Sequence, residues 1–211
     1  MIGLTINGDR ISDRMIVERI TIQPAQVKKN YINVPGADGR LDLTEALGVR
    51  VYDVRDINIT IKRKIPKMTR WLELYCELLQ AFDGKIVDIV LDADPEFLYR
   101  GRVTKVTPEK DGKIRGVTLG ITADPYKYKL KRTVKTFEVS GRLETSLPNL
   151  FRPVVPEITT DAEMHITFSG QTIAISPGTM QIPEIMLEAG EHSIILSGTG
   201  TISFSYQEAA L

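Results

Sequence analysis

Residues 34–47, VPGADGRLDLTEAL, sit between two segments that read as strands, and they decide how the first half of the chain is organised. Pro35 fixes φ and supplies no backbone donor, while Gly36 and Gly39 permit the positive φ of tight turns. Asp38-Gly39 is a strong turn dipeptide, and Arg40 to Leu43 then alternates polar with apolar. About fifteen residues are spent on this feature, more than a plain connection needs, so it either binds something or reaches a neighbour.

Outward from the loop, strand patterns dominate. Residues 2–6 and 15–22 read as short strands, and Val27 to Asn33 leads into the loop as a third. Beyond it, Val49 and Val51, then Ile57, Ile59 and Ile61, alternate with Asp56, Asn58, Thr60 and Lys62, predicting a half-buried strand over residues 49–62. A helix is expected over about residues 66–83. Met68, Trp71, Leu72, Tyr75, Leu78, Leu79 and Phe82 recur at three- and four-residue spacing, with Pro66 suited to the first turn and Gly84 to the cap. Trp71 and Tyr75 on such a face read as core packing, not as a ligand shelf. Strand signals return at 86–91, 97–106 and 114–122, the last two joined by a turn at Asp111-Gly112.

The chain has 211 residues, 42% hydrophobic and 26% charged, the composition of an ordinary globular protein. Its 27 basic and 27 acidic residues cancel, yet they are unevenly placed. Residues 1–135 hold 25 Lys and Arg against 18 Asp and Glu, a balance of +7, and residues 136–211 hold 2 against 9, a balance of −7. Two domains are therefore expected, 1–135 and 136–211. The second shows no helical period. Met164, Ile166 and Phe168, then Ile202, Phe204 and Tyr206, alternate between glycine-bearing turns, as in a small β-sandwich. The fold class expected is mainly β (α+β), antiparallel, with one amphipathic helix. No signal peptide or membrane span is expected, and the single cysteine, Cys76, excludes an intrachain disulfide.

Motifs for chemistry are weak. Asp92, Asp94 and Glu96 cluster beside Pro95 without the spacing of a calcium loop, so a solvated turn is the better reading. His165 and His192 lack a zinc spacing and read as surface residues. Spacing does not decide on a Ser-His-Asp arrangement, whose members meet in space, but no serine lies in G-x-S-x-G. Cys76 is expected as a buried, unreactive thiol on the helix. Gly-Ala-Asp-Gly matches neither a P-loop nor a dinucleotide fingerprint. The run Lys127 to Arg132, with Tyr126 and Tyr128 interleaved, would suit non-specific nucleic-acid contact, or a strand edge protected by lysines. Small β-sandwiches can bind sugars, but the aromatics of the second domain follow the core phase and the sole tryptophan lies in the first. No metal or cofactor is expected.

The order of elements resembles the distal tail protein (Dit) family of siphophages and their prophages. The resemblance rests on VPGADGRLDLTEALG, the helix RWLELYCELLQAFDGK, LYRGRV and ITADPYKY, and it covers residues 1 to about 135. It implies a structural virion protein and not an enzyme. Such a protein forms a ring of six subunits at the virion tail tip, assembled in the host cytoplasm. The ring joins the tail tube to a tail-tip or lysin-bearing hub. The first domain would build the ring, and the second, a galectin-like sandwich, would project and hold receptor-binding proteins. The second domain here is short and lacks the long insertions that carry sugar-binding modules in some relatives. On this reading Gly36, Asp38, Gly39, Arg40 and Leu41 are expected at the subunit interface, and only non-specific DNA contact is expected in the channel. A tail-tube or tail-terminator component and a carbohydrate-binding accessory protein are the alternatives.

Overall fold

The computed structural model describes residues 2–46, 48 and 50–211. Leu47 and Val49, placed by the sequence in the loop and in a strand, lie outside the described residues. In chain order the elements are β1 (Leu4–Ile6), β2 (Asp9–Arg10), a 3-10 turn (Ile11–Asp13), β3 (Ile16–Ile22), β4 (Tyr31–Ile32), β5 (Leu41–Asp42), β6 (Arg55–Lys64), α1 (Met68–Phe82), β7 (Ile86–Leu91), β8 (Asp94–Asp111) and β9 (Ile114–Lys129). There follow β10 (Thr133–Asn149), β11 (Glu157–Thr160), β12 (Met164–Phe168), β13 (Gln171–Ile175), β14 (Gly178–Gln181), β15 (Gly190–Tyr206) and β16 (Ala209–Ala210). The protein is mainly β with one α-helix among the described residues, as the periodicities predict. That helix, at 15 residues, is not long and apolar enough to cross a membrane.

Two compact units result, one holding residues up to Lys127 with Leu211 and the other running Tyr128–Ala210. Residue 135, where the charge balance changes, lies inside β10. In the first unit the strands lie in the order β2-β1-β7-β8-β9-β6-β3. At its centre β6 and β9 pair antiparallel, with Ile57 opposite Ile121, Ile59 opposite Leu119 and Ile61 opposite Val117. All six are buried on one face, where period-two alternation puts them. Each such side chain contributes about 1.5–3 kcal/mol of burial free energy, so this ladder anchors the core.

Helix α1 buries Trp71, Leu78 and Phe82 against that core, with Leu74 and Tyr75 partly covered and the rings of Trp71 and Tyr75 stacked at 5.5 Å. Asp83 N–H donates to Leu79 O, and Gly84 at φ 68° ends the helix in the left-handed region. Met68 and Leu72 face solvent instead of the core, about half exposed. Cys76 is also exposed, correcting the expectation of a buried thiol. It follows Met68 and Leu72 at four-residue spacing, on a stripe beside the buried one.

The second unit surrounds its own core of Val139, Leu147, Ile158, Met164, Ile166, Leu196, Ile202 and Phe204, among others. Its backbone is a ribbon in which β10 pairs with β15 over the full length of both strands. The far edge of β15 is shared, with β12 opposite Ile194 to Gly198 and β11 opposite Ile202 to Ser205. Gly198 ends the first half and Gly200 lies between the two, at φ 142° and 149°. A Cβ on Gly200 would fall 2.5 Å from Asp161 Oδ1 and 2.8 Å from Ala162 Cβ, so only glycine lets the chain pass here. Sequence periodicity missed β10, whose Gly141 and Pro148 interrupt the alternation.

Candidate subunit interface

Between β3 and β6 the chain leaves the first unit's sheet and returns. The two strands pair as far as Ile22 opposite Ile57, and Gln23 N–H donates to Asp56 O at 2.9 Å to close the root. The described residues between 23 and 54 then form a two-armed excursion. Lys28 N–H donates to Val51 O and Asp53 N–H to Gln26 O, both at 2.8 Å, around an isolated bridge between Val27 and Tyr52. The Tyr52 ring meets Tyr126 edge-on at 6.1 Å, tying the root to β9. The expected strand over Val27 to Asn33 is thus reduced to a bridge at Val27 and to β4. Of the strand expected over residues 49–62, the described residues 50–54 hold only the bridge at Tyr52, the strand itself starting at Arg55 as β6, because the backbone before it pairs with the opposite arm and not with the sheet.

Farther out, β4 and β5 pair as Tyr31 opposite Asp42 and Ile32 opposite Leu41. Leu43 N–H donates to Asn30 O at 2.8 Å, and Asn30 N–H to Thr44 Oγ1 at 3.2 Å. The tip is a double turn, with Ala37 N–H donating to Val34 O at 3.2 Å and with Gly36 and Gly39 at φ 80° and 79°. The return is stiffened by side chains. Asp42 Oδ1 accepts Thr44 N–H at 2.9 Å, and hydrogen bonding from Thr44, helped by nearby Lys29, holds this carboxyl below the usual range. Arg50 Nε donates to Glu45 Oε1 at 2.5 Å, which holds the guanidinium above its usual pKa.

Gly36, Asp38, Gly39, Arg40 and Leu41 therefore come together on the tip of one arm, and every one of them is exposed. So are Tyr31, Ile32, Val34, Val51 and Val54, each between 44% and 52% accessible. These apolar residues were legible only as strand pattern, since periodicity does not say whether a face is covered. A two-stranded ribbon is marginal by itself in water, and solvated apolar side chains add nothing to hold it.

Other sequence candidates are accounted for within the fold. Asp92 accepts Arg10 Nη2 at 2.5 Å and Asp94 accepts Lys127 Nζ at 2.6 Å, so the acidic turn is spent on ion pairs. Among the described residues no three His, Cys, Asp or Glu side chains gather as a metal site. His165 is exposed, and His192 Nε2 lies 2.9 Å from Glu188 O. In the basic run, Lys127 also sits 4.4 Å from the Phe97 ring, Lys129 Nζ donates to the buried Glu208 at 2.9 Å, and Arg132 binds Ser205. Those three cations are held by their own fold and do not form an open track for a polyanion.

No family model matches the chain, and no curated protein is similar to it. Among solved structures, the chain is similar to the crystal structure of SPP1 Dit (gp 19.1), described as a paradigm of hub adsorption apparatus in Gram-positive infecting phages. The likeness covers 98% of this chain and 99% of that one, with a TM-score of 0.69 and 16% sequence identity. At that identity it is the fold that the two share, across both units.

Proposed function

We propose that this chain is a distal tail protein, a structural subunit of a phage tail tip that assembles into a closed ring of six copies. One observation carries the reading: the fold follows that of a phage hub protein over nearly the full length of both chains. The exposed arm supports it, because a ring needs a heterologous contact repeated from subunit to subunit. In this reading the first unit builds the ring, with Gly36, Asp38, Gly39, Arg40 and Leu41 in the contact. The ring joins the tail tube to the lysin-bearing hub, and the second unit, as a galectin-like module, projects and holds receptor-binding proteins. The role is mechanical, without catalysis, and the ring touches DNA only through unspecific contact in its channel.

The test is mass and shape together. Six chains of 23.6 kDa correspond to about 142 kDa by light scattering, and negative-stain images should show discs with a central hole. Stacking into tubes would assign the chain to the tail tube instead. A monomer at every concentration up to about a millimolar, the weak limit of specific association, would sink the ring.

A further inference from the structure

At the root of the same arm lies a cation without an anion. Arg55, the first residue of β6, is only 6% exposed. Its Nη2 donates to the Pro125 carbonyl and its guanidinium carbon lies 5.8 Å from the centre of the Tyr99 ring. Its Nε is buried with no acceptor, and among the described residues no carboxylate lies within ion-pair range of the group. Burial lowers its pKa from the usual arginine value. An arginine so placed remains charged, and an uncompensated buried charge is costly until an anion meets it. Beside it opens a cleft of about 390 Å³ lined by Ile22, Gln23, Pro24, Ala25, Arg55 and Leu211.

The opposite situation holds at the tip. Of the three carboxylates between residues 30 and 50, Asp42 is engaged by Thr44 and Glu45 by Arg50. Asp38 has no partner among the described residues and is exposed. The arm cannot bring Asp38 to its own Arg55, because the pairings at Val27 with Tyr52 and at Tyr31 with Asp42 hold it extended away from the root. It can reach another subunit: residues 23–37 span up to about 45 Å when extended.

We infer that the cleft at Arg55 is a socket for a carboxylate, and that its occupant is Asp38 on the arm tip of a second copy of this chain. The inference rests on the ring reading and names the two unlike patches that its repeated contact joins. Apolar tip residues Val34 and Leu41 enter with the carboxylate and meet Ile22, Pro24 and Leu211 at the cleft wall. Desolvating the pair on contact strengthens it, and coupling energies of close charge pairs at interfaces exceed the cost of tenfold in affinity.

Cross-linking tests this without disturbing Arg55, whose replacement can unfold the unit. In a Cys76→Ser background, Ala37→Cys beside the tip and Gln23→Cys at the cleft are combined in the full chain and oxidised. The expected result is a ladder of disulfide-linked multimers up to six, slowed at least about tenfold when Asp38→Lys is added. A ring of the expected mass with no ladder overturns the socket and leaves the ring standing. A ladder indifferent to Asp38→Lys overturns the assignment of Asp38. A chain that stays monomeric and does not cross-link overturns the socket and the ring together.

Discussion

Gly116→Ala should break the central ladder of the first unit, while Gly120→Ala four residues along the same strand should not. A Cβ built on Gly116 falls 1.9 Å from the Ile61 carbonyl oxygen and 2.7 Å from Lys62 Cα. Both are backbone atoms of β6, which is held by β9 on one side and by β3 on the other, so no side chain can turn away to make room. Relief requires parting β6 from β9 at Lys62 with Gly116, Arg63 with Arg115 and Lys64 with Ile114. The buried bond from Arg115 Nη1 to Ile65 O, 3.0 Å, would go with them. Losing two or three such bonds at about 1 kcal/mol each, on top of overpacking of about 1–3 kcal/mol, gives about 3–6 kcal/mol. On Gly120 the nearest atom to a Cβ is Lys105 Cβ at 3.4 Å, an ordinary contact. Alanine there should be neutral or stabilising by up to about 1 kcal/mol. Urea unfolding followed by Trp71, the sole tryptophan and buried in this unit, reads both. With a slope of about 2 kcal/mol per molar, Gly116→Ala lowers the midpoint by about 1.5–3 M. A midpoint within about 0.5 M of wild type would refute the argument that this glycine is required by close approach of backbones.

Two further outcomes are expected. Burial, with smaller contributions from Glu208 and Glu191, pushes the Tyr206 phenol up from 10.0 to about 12. The folded unit thus keeps a proton that the unfolded chain releases, so stability is complete below pH 10 and falls by about 1–3 kcal/mol between pH 10 and 12. Denaturation followed by circular dichroism should lose this dependence in Tyr206→Phe, and an equal slope in both proteins would contradict it. Cys76, exposed on the outer side of α1, should react with Ellman's reagent in the native protein, and a need for denaturant would restore the buried thiol.

Much of the fold was legible because local periodicity and burial agree. Ile57, Ile59 and Ile61 alternate with polar residues and are buried, and the helix from Met68 to Phe82 follows its apolar spacing between Pro66 and Gly84. Periodicity does not give the width of a buried stripe, which is why Met68, Leu72 and Cys76 fell on the expected core side yet face solvent. The turn at Gly36 to Gly39 was readable from its dipeptides. The arm that carries it was not, since its pairing joins residues 27 and 52 through backbone atoms that carry no sequence signature. Arg55 was invisible for another reason. As a polar residue at the start of a strand it reads as exposed, and only the packing of Tyr99 and the Pro125 carbonyl around it makes it buried.

By itself, then, the order of residues determined the mainly β class, the single helix, the central strand phase and the turn chemistry of residues 34–47, all of which depend on neighbours a few positions apart. Tertiary structure decided what each exposed or buried position means. It spent Lys127 and Lys129 on Asp94 and Glu208, placed the apolar arm in solvent, and left Arg55 buried with no anion beside it among the described residues. Those outcomes depend on which distant groups arrive at the same point in space, and electrostatic and desolvation energies are set there, not along the chain.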